Sequence, residues 1–268
     1  MTTGESPPQG PLCTRESLAN ELRNLGVHNG DTLLVHSSLS AIGWVNCGPE
    51  TVVLALLDVL GDQGTLVVPT HCSDNSDPKN WRMPPVPEAW WQTIRDTMLA
   101  FNPATSRATQ MGVIPEMVRT WPGAVRSAHP QTSFAAIGAK ASFITAGHAL
   151  DSCLGEQSPL ARLEEAHARV LLLGVGFNRC TSFHLAEYRI PGRIVDNSFA
   201  VMTGEGRKWM TVRDRQCSGE RFGELGADFE REEKVTRGKV GKADVRLFPM
   251  ADAVAFAQEW IALNRPST

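Results

Sequence analysis

The chain has 268 residues, 42% of them hydrophobic and 21% charged, an ordinary globular composition that supports a substantial core. A formal net charge of −3 argues against a nucleic-acid binder and is compatible with a cationic small molecule. No apolar run reaches membrane-spanning length and Met1–Pro8 lacks the pattern of a secretory leader. A cytoplasmic protein with no membrane partner is expected, its six scattered cysteines being reduced thiols.

Residues 1–13 are rich in Pro and Gly and read as a loose tail before a single α/β domain over 14–268, with room for two intimately packed subdomains. Thr14 is placed to cap a helix that carries Leu18, Leu22 and Leu25 on one face and stops at Gly26. Asp31–His36 reads as a buried strand, Pro49–Leu60 as a helix opened by Pro and closed by Gly61, and Thr65–Pro69 as a second buried strand. Strand, helix, strand in that order predicts a crossover and a mostly parallel central sheet flanked by helices.

Residues 71–88 form a polar, proline-rich loop of a length that is more often functional than structural. Helices are predicted over Glu88–Leu99, Gly112–Thr120 and Ser158–Arg169, and a strand over 170–173 runs into the glycine turn Gly174-Val175-Gly176. A helix starts within Thr181–Tyr188. Ile194–Met202 and Lys208–Asp214 flank Gly204-Glu205-Gly206, which predicts an antiparallel hairpin in the C-terminal portion. Glu220–Glu232 and Ala251–Leu263 read as helices on either side of a short β region ending at Phe248.

Polar chemistry follows the 170–173 strand directly, and open α/β sheets bind ligands beyond the carboxyl ends of their strands. On a helix Thr181, His184 and Glu187 share a face, and an imidazole can accept a proton near neutral pH. Spacing alone favours the plainer reading of a capping Thr, a structural His and a surface Glu.

A series of blocks resembles the aminoglycoside 3-N-acetyltransferases. They are Leu34-Val35-His36-Ser37-Ser38-Leu39-Ser40-Ala41-Ile42-Gly43-Trp44-Val45, Gly64-Thr65-Leu66-Val67-Val68-Pro69-Thr70, Met111-Gly112-Val113-Ile114-Pro115-Glu116 and Arg126-Ser127-Ala128-His129-Pro130. Gly155-Glu156-Gln157-Ser158-Pro159, Leu171-Leu172-Leu173-Gly174-Val175-Gly176 and His184-Leu185-Ala186-Glu187 complete the series, in the family's order across residues 15–264. Two departures stand out: Cys47-Gly48 where the family often has Gly-Gly, and Cys180-Thr181 where it often has Asn-Thr.

The resemblance implies acetyl transfer from acetyl-CoA, with no metal, to the 3-amino group of the 2-deoxystreptamine ring of an aminoglycoside antibiotic, a resistance activity. His184 is then the general base for direct attack on the thioester, Asp214 on the hairpin is the expected carboxylate partner with Glu220 as the other candidate, and Thr181 is the expected oxyanion donor. The acetyl-CoA site is expected at His36, Ser37, Ser38, Ser40, Val45, Ser106, Arg107 and Met111. Carboxylates for a polycationic amine are expected at Asp74, Asp77, Glu187 and Glu220, and Trp81, Trp90 and Trp91 could wall the groove. Arg126, Ser127 and His129 either face the cofactor or hold the fold.

Four other readings remain open at this level. A related enzyme would acetylate another amine or amino sugar; a hydrolase would lack its Gly-x-Ser-x-Gly elbow here. A zinc site from His71, Cys72, Cys180 and His184 has no standard spacing, and a non-catalytic binding module would show no turnover. The oligomeric state, monomer or homodimer, is left open.

Overall fold

The computed structural model describes residues 10–232 and 235–265. Thr14 opens α1 (Arg15–Asn24) with a capping box in which its hydroxyl accepts from the Ser17 N–H and the Ser17 hydroxyl accepts from the Thr14 N–H. Then follow β1 (Thr32–Ser37), the single turn α2 (Leu39–Ile42), α3 (Pro49–Leu60) and β2 (Thr65–Pro69). A long loop leads to α4 (Trp91–Thr97) and α5 (Val113–Arg119), and then to β3 (Val125–Arg126), β4 (Phe134–Gly138) and α6 (Ala141–Thr145). The chain continues through α7 (Pro159–Glu165), β5 (Arg169–Leu173), α8 (Phe183–Tyr188), β6 (Ile194–Thr203) and β7 (Gly206–Arg215). It closes with α9 (Phe222–Glu232), β8 (Thr236–Val240), β9 (Ala243–Pro249) and α10 (Met250–Asn264).

Seven strands form one sheet in the order β3-β4-β2-β1-β5-β9-β8, and β6 pairs with β7 in a separate antiparallel hairpin. The α/β class and the hairpin are as expected from sequence. The parallel character is confined to the centre: β1 runs parallel to β2 and β5, whereas β4, β3, β9 and β8 add antiparallel strands on both sides. The sheet is therefore mixed, not mostly parallel. The strand–helix–strand signal read from sequence reports crossovers, and the flanking strands are joined without one.

Side chains alternate across the central strands. Leu34, Val67, Val170 and Leu172 face a core completed by α7, α8, α9 and α10. Leu33, Val35, Leu66, Val68, Leu171 and Leu173 face the opposite core, under α1, α3 and α5. In the first core Phe177, Phe183, Phe222, Phe229 and Phe248 pack edge to face, stacked or tilted, with centroids 5.2 to 6.4 Å apart. Such pairs add about 0.5–1.5 kcal/mol each beyond area burial, and here they seat the short α8 on the sheet.

The loop after β2 is pinned to the hairpin by Asn75, whose amide donates to the Ala200 carbonyl at 2.9 Å and accepts from the Ala200 N–H at 2.8 Å. Several boundaries differ from the sequence reading. The expected helix over Ser158–Arg169 ends at Glu165, since Arg169 already opens β5, and Glu88–Leu99 splits into a 3-10 turn over Glu88–Trp90 followed by α4. Of the tail expected over 1–13, residues 1–9 lie outside the described residues, while Cys13 is buried and bridged to Val45. Among the described residues no helix is long and apolar enough to cross a membrane.

Cys47, the departure from Gly-Gly, has φ +59° and is followed by Gly48 at φ +62°. A Cβ is costly in that left-handed region. Cys47→Gly is expected to raise stability by up to about 1 kcal/mol, read as a higher denaturation midpoint.

Candidate active site

The carboxyl ends of the three central parallel strands open onto a cleft of about 810 Å3. β1 contributes His36 and Ser37, the chain beyond β2 contributes Pro69 and His71, and the turn beyond β5 contributes Val175. Gly174 makes that turn at φ +71°, where an added Cβ would lie 2.5 Å from the Ala41 Cβ, so only glycine lets β5 end so close to the 38–41 segment. Met111 and the start of α5 close another wall, and Thr181 and His184 complete it.

His184 lies on α8 with its ring 4.8 Å from that of Phe222. Its Nδ1 is 2.6 Å from Oε2 of Glu187, one helical turn on. The carboxylate is buried and tied on two further sides: Arg265 donates to Oε1, and the Ser218 N–H donates to both oxygens at 3.2 Å. A carboxylate so held favours the Nδ1–H tautomer of His184, which leaves the Nε2 lone pair available as an acceptor.

Asp214, the partner expected from sequence, makes no hydrogen bond with His184 among the described residues. It is buried and accepts from the Tyr188 hydroxyl at 2.9 Å and from the Cys153 N–H at 2.9 Å, which ties the hairpin to α8 and to the 149–154 segment. The reason for the correction is geometric: α8 begins at Phe183, so the i, i+3 carboxylate reaches the ring first. The sequence signal was the His-x-x-Glu spacing, read there as a substrate contact at Glu187. Arg265, 78 residues away, carried no signal.

His36 is buried, and its Nε2 accepts from the Thr181 N–H at 3.4 Å. Burial, with a contribution from His184, lowers its pKa to about 3. It is therefore a neutral acceptor that holds the turn before α8. Thr181 is buried and lines the cleft. Ser38 and Ser40 line the cleft with their hydroxyls 3.1 Å apart, beside Ser37 and Met111.

Three expected cofactor residues lie outside this lining. Val45 is buried in the core, the Ser106 hydroxyl accepts from the Asn102 N–H at 3.0 Å, and exposed Arg107 offers its carbonyl to the Cys72 thiol at 2.8 Å. Of the expected substrate acids, Asp74 and Glu220 are exposed. Asp77 is buried and paired with Arg95 at 2.8 Å; burial opposes its ionisation, but Arg95 and the Lys79 N–H outweigh it and hold the carboxyl below its ordinary range. Its charge is matched inside the protein. Trp91 is half-buried, Trp90 exposed, and the Trp81 indole donates to Ser76 at 2.9 Å.

Arg126, Ser127 and His129 hold the fold. The Arg126 guanidinium binds the Thr70, Pro103 and Ser106 carbonyls, Ser127 bonds His148 Nδ1 at 3.0 Å, and His129 Nδ1 accepts from the Gln131 and Thr132 N–H groups at 3.1 Å. Nor is the zinc set assembled: Cys72 is turned to Arg107 and Arg126, and Cys180 bonds Ser182 at 3.1 Å. His184, Glu187 and Cys217 do bring potential ligand atoms within 4.8 Å of one another, with the Arg265 cation already on Glu187.

Residues 34–262 match the family model described as aminoglycoside 3-N-acetyltransferase. The aminoglycoside N(3')-acetyltransferase-like protein YokD of Bacillus subtilis (strain 168) is 45% identical over 94% of this chain and 93% of its own length. Its crystal structure superposes with a TM-score of 0.94 over 95% of both chains. Aminoglycoside N(3)-acetyltransferase VII of Streptomyces paromomycinus is 39% identical over 94% of this chain and 92% of its own. A structure described as AAC-IIIb binary with CoASH is 34% identical, with a TM-score of 0.84 over 96% of this chain and all of that one. The chain belongs to the aminoglycoside 3-N-acetyltransferase family.

Two outcomes follow from the geometry. Glu187→Gln is expected to lower turnover roughly a hundred- to ten-thousand-fold, whereas Asp214→Asn should chiefly lower the melting temperature; steady-state kinetics and thermal denaturation separate them. The second outcome concerns pH. Burial above all lowers the pKa of His36, His71 and His148 to about 3, and of His129 to about 4 against the opposing Leu150 carbonyl and Asp214. Above about pH 6.5 both folded and unfolded forms carry these rings neutral; below it the unfolded chain binds protons that the folded one refuses. Stability should be full above about pH 6.5 and fall steadily toward pH 4, seen as a declining urea midpoint.

Proposed function

We propose that this chain transfers the acetyl group of acetyl-CoA to the 3-amino group of the 2-deoxystreptamine ring of an aminoglycoside, and so confers resistance. The observation that carries the mechanism is His184, held at Nδ1 by a buried, triply tethered carboxylate in a cleft at the strand ends.

An aminoglycoside amine is largely protonated in water. His184 Nε2 takes one proton, and the freed lone pair attacks the thioester carbon. The imidazolium that forms is stabilised by Glu187. Negative charge develops on the carbonyl oxygen and is met by the hydroxyl of Thr181, a reading supported by the position of that residue in the cleft lining. The C–S bond then breaks, coenzyme A leaves as the thiol with the proton from His184, and the product nitrogen releases its surplus proton to solvent as the neutral amide forms. Transfer is direct: Cys180 is buried, with its thiol pushed up to about 12 by burial, so it makes a poor nucleophile.

For the cofactor, family membership and the CoASH-bound relative support pantetheine and phosphate groups lying along the Ser37–Ser40 and Met111 walls. The protein should release free thiol from acetyl-CoA only when a 2-deoxystreptamine amine is present, with one acetyl group gained by mass. His184→Ala should lower that rate at least a hundredfold. Equal rates, or an acetylated protein formed from acetyl-CoA alone, would overturn the mechanism.

A further inference from the structure

The same cleft holds a second histidine whose chemistry the transfer mechanism leaves unused. His71 follows the end of β2, where its backbone carbonyl accepts from the Thr109 N–H at 2.8 Å and its ring meets the Phe134 ring edge-on at 5.5 Å. The ring lines the cleft together with His36 and His184. Its Nε2 is buried and has no hydrogen-bond partner among the described residues. A buried polar atom without a partner is costly to the fold, so at a ligand cleft it marks a position that a ligand atom fills. The Ser37 hydroxyl, on the neighbouring strand end and the same cleft wall, is orphaned in the same way.

We propose that His71 positions the acceptor amine, its unpaired ring nitrogen taking a hydrogen bond from an N–H that His184 does not remove. The inference rests on the acetyl-transfer reading. Once His184 has taken one proton, the attacking nitrogen keeps two N–H bonds, and its lone pair points at the thioester carbon only if one of them is anchored. A carboxylate anchor would hold the ammonium form and oppose the deprotonation that attack requires. A neutral imidazole does not. Burial keeps the His71 ring neutral, so it accepts a hydrogen bond without competing for the proton. Two identical side chains thus take different parts because one has a carboxylate at Nδ1 and the other has none.

The test compares His71→Phe, which keeps the ring and its contact with Phe134, with His71→Gln, whose amide oxygen reaches toward the position of Nε2. His71→Phe is expected to lower kcat/KM for the amine about 10- to 100-fold while KM for acetyl-CoA stays within about twofold, and His71→Gln should regain most of the loss. Calorimetric amine affinity of the CoA-saturated protein should fall in parallel. Should His71→Phe melt early, His71→Asn, which keeps a polar group but stops short, must show the same kinetic loss. Unchanged amine kinetics in an active protein, or a loss confined to acetyl-CoA KM, overturns the role of His71 alone. A wild type that neither binds nor acetylates any amine overturns the proposed function and this inference with it.

Discussion

The site depends on one buried carboxylate. An ionised Glu187 without partners would be driven to protonate or would cost several kcal/mol. Here three donors from three parts of the chain converge on it: His184 on its own helix, the Ser218 N–H beyond the hairpin, and Arg265 beyond α10. Phe222 lies against both the His184 ring and the Arg265 guanidinium, 4.8 and 5.2 Å away, so apolar packing holds the charged group's partners in register. Satisfying the carboxylate therefore also orients the His184 ring. The same contacts close the C-terminal helices over α8.

The sheet supplies the other half of the constraint. Three parallel strands end side by side, and their last residues carry His36, Ser37 and, just beyond, His71 and Val175. Burial makes His36 and His71 neutral hydrogen-bonding groups. The different behaviour assigned to His184 comes from its carboxylate, since the ring chemistry is shared. Antiparallel strands on both sides lengthen the sheet without adding ends at this rim of the kind the crossovers create.

Much of this was legible residue by residue. Thr14, Pro49 and Gly61 marked helix ends through local chemistry, and the runs read as buried strands at 31–36, 65–69 and 170–173 form β1, β2 and β5 to within a residue at each end. His184 could be picked out because ordered motifs surround it. β3, β4 and α6 could not: they are two to five residues long, and β4 finds its place only by pairing with β2, far earlier in the chain. The partner of His184 was missed for a related reason. Asp214 and Glu187 are both acids within reach of a plausible fold, and choosing between them needs the start of α8 to within a residue. That Asp214 was committed instead to Tyr188 and Cys153 is a tertiary fact.

The central claim is that Glu187 fixes His184 with its proton on Nδ1 and its lone pair on Nε2 facing the cleft. The most direct measurement is the 15N NMR spectrum of the His184 ring in the unliganded protein at a pH where that ring is neutral. The account predicts a protonated, pyrrole-type Nδ1 and an unprotonated, pyridine-type Nε2. The opposite tautomer, or an equal mixture of the two, would contradict it.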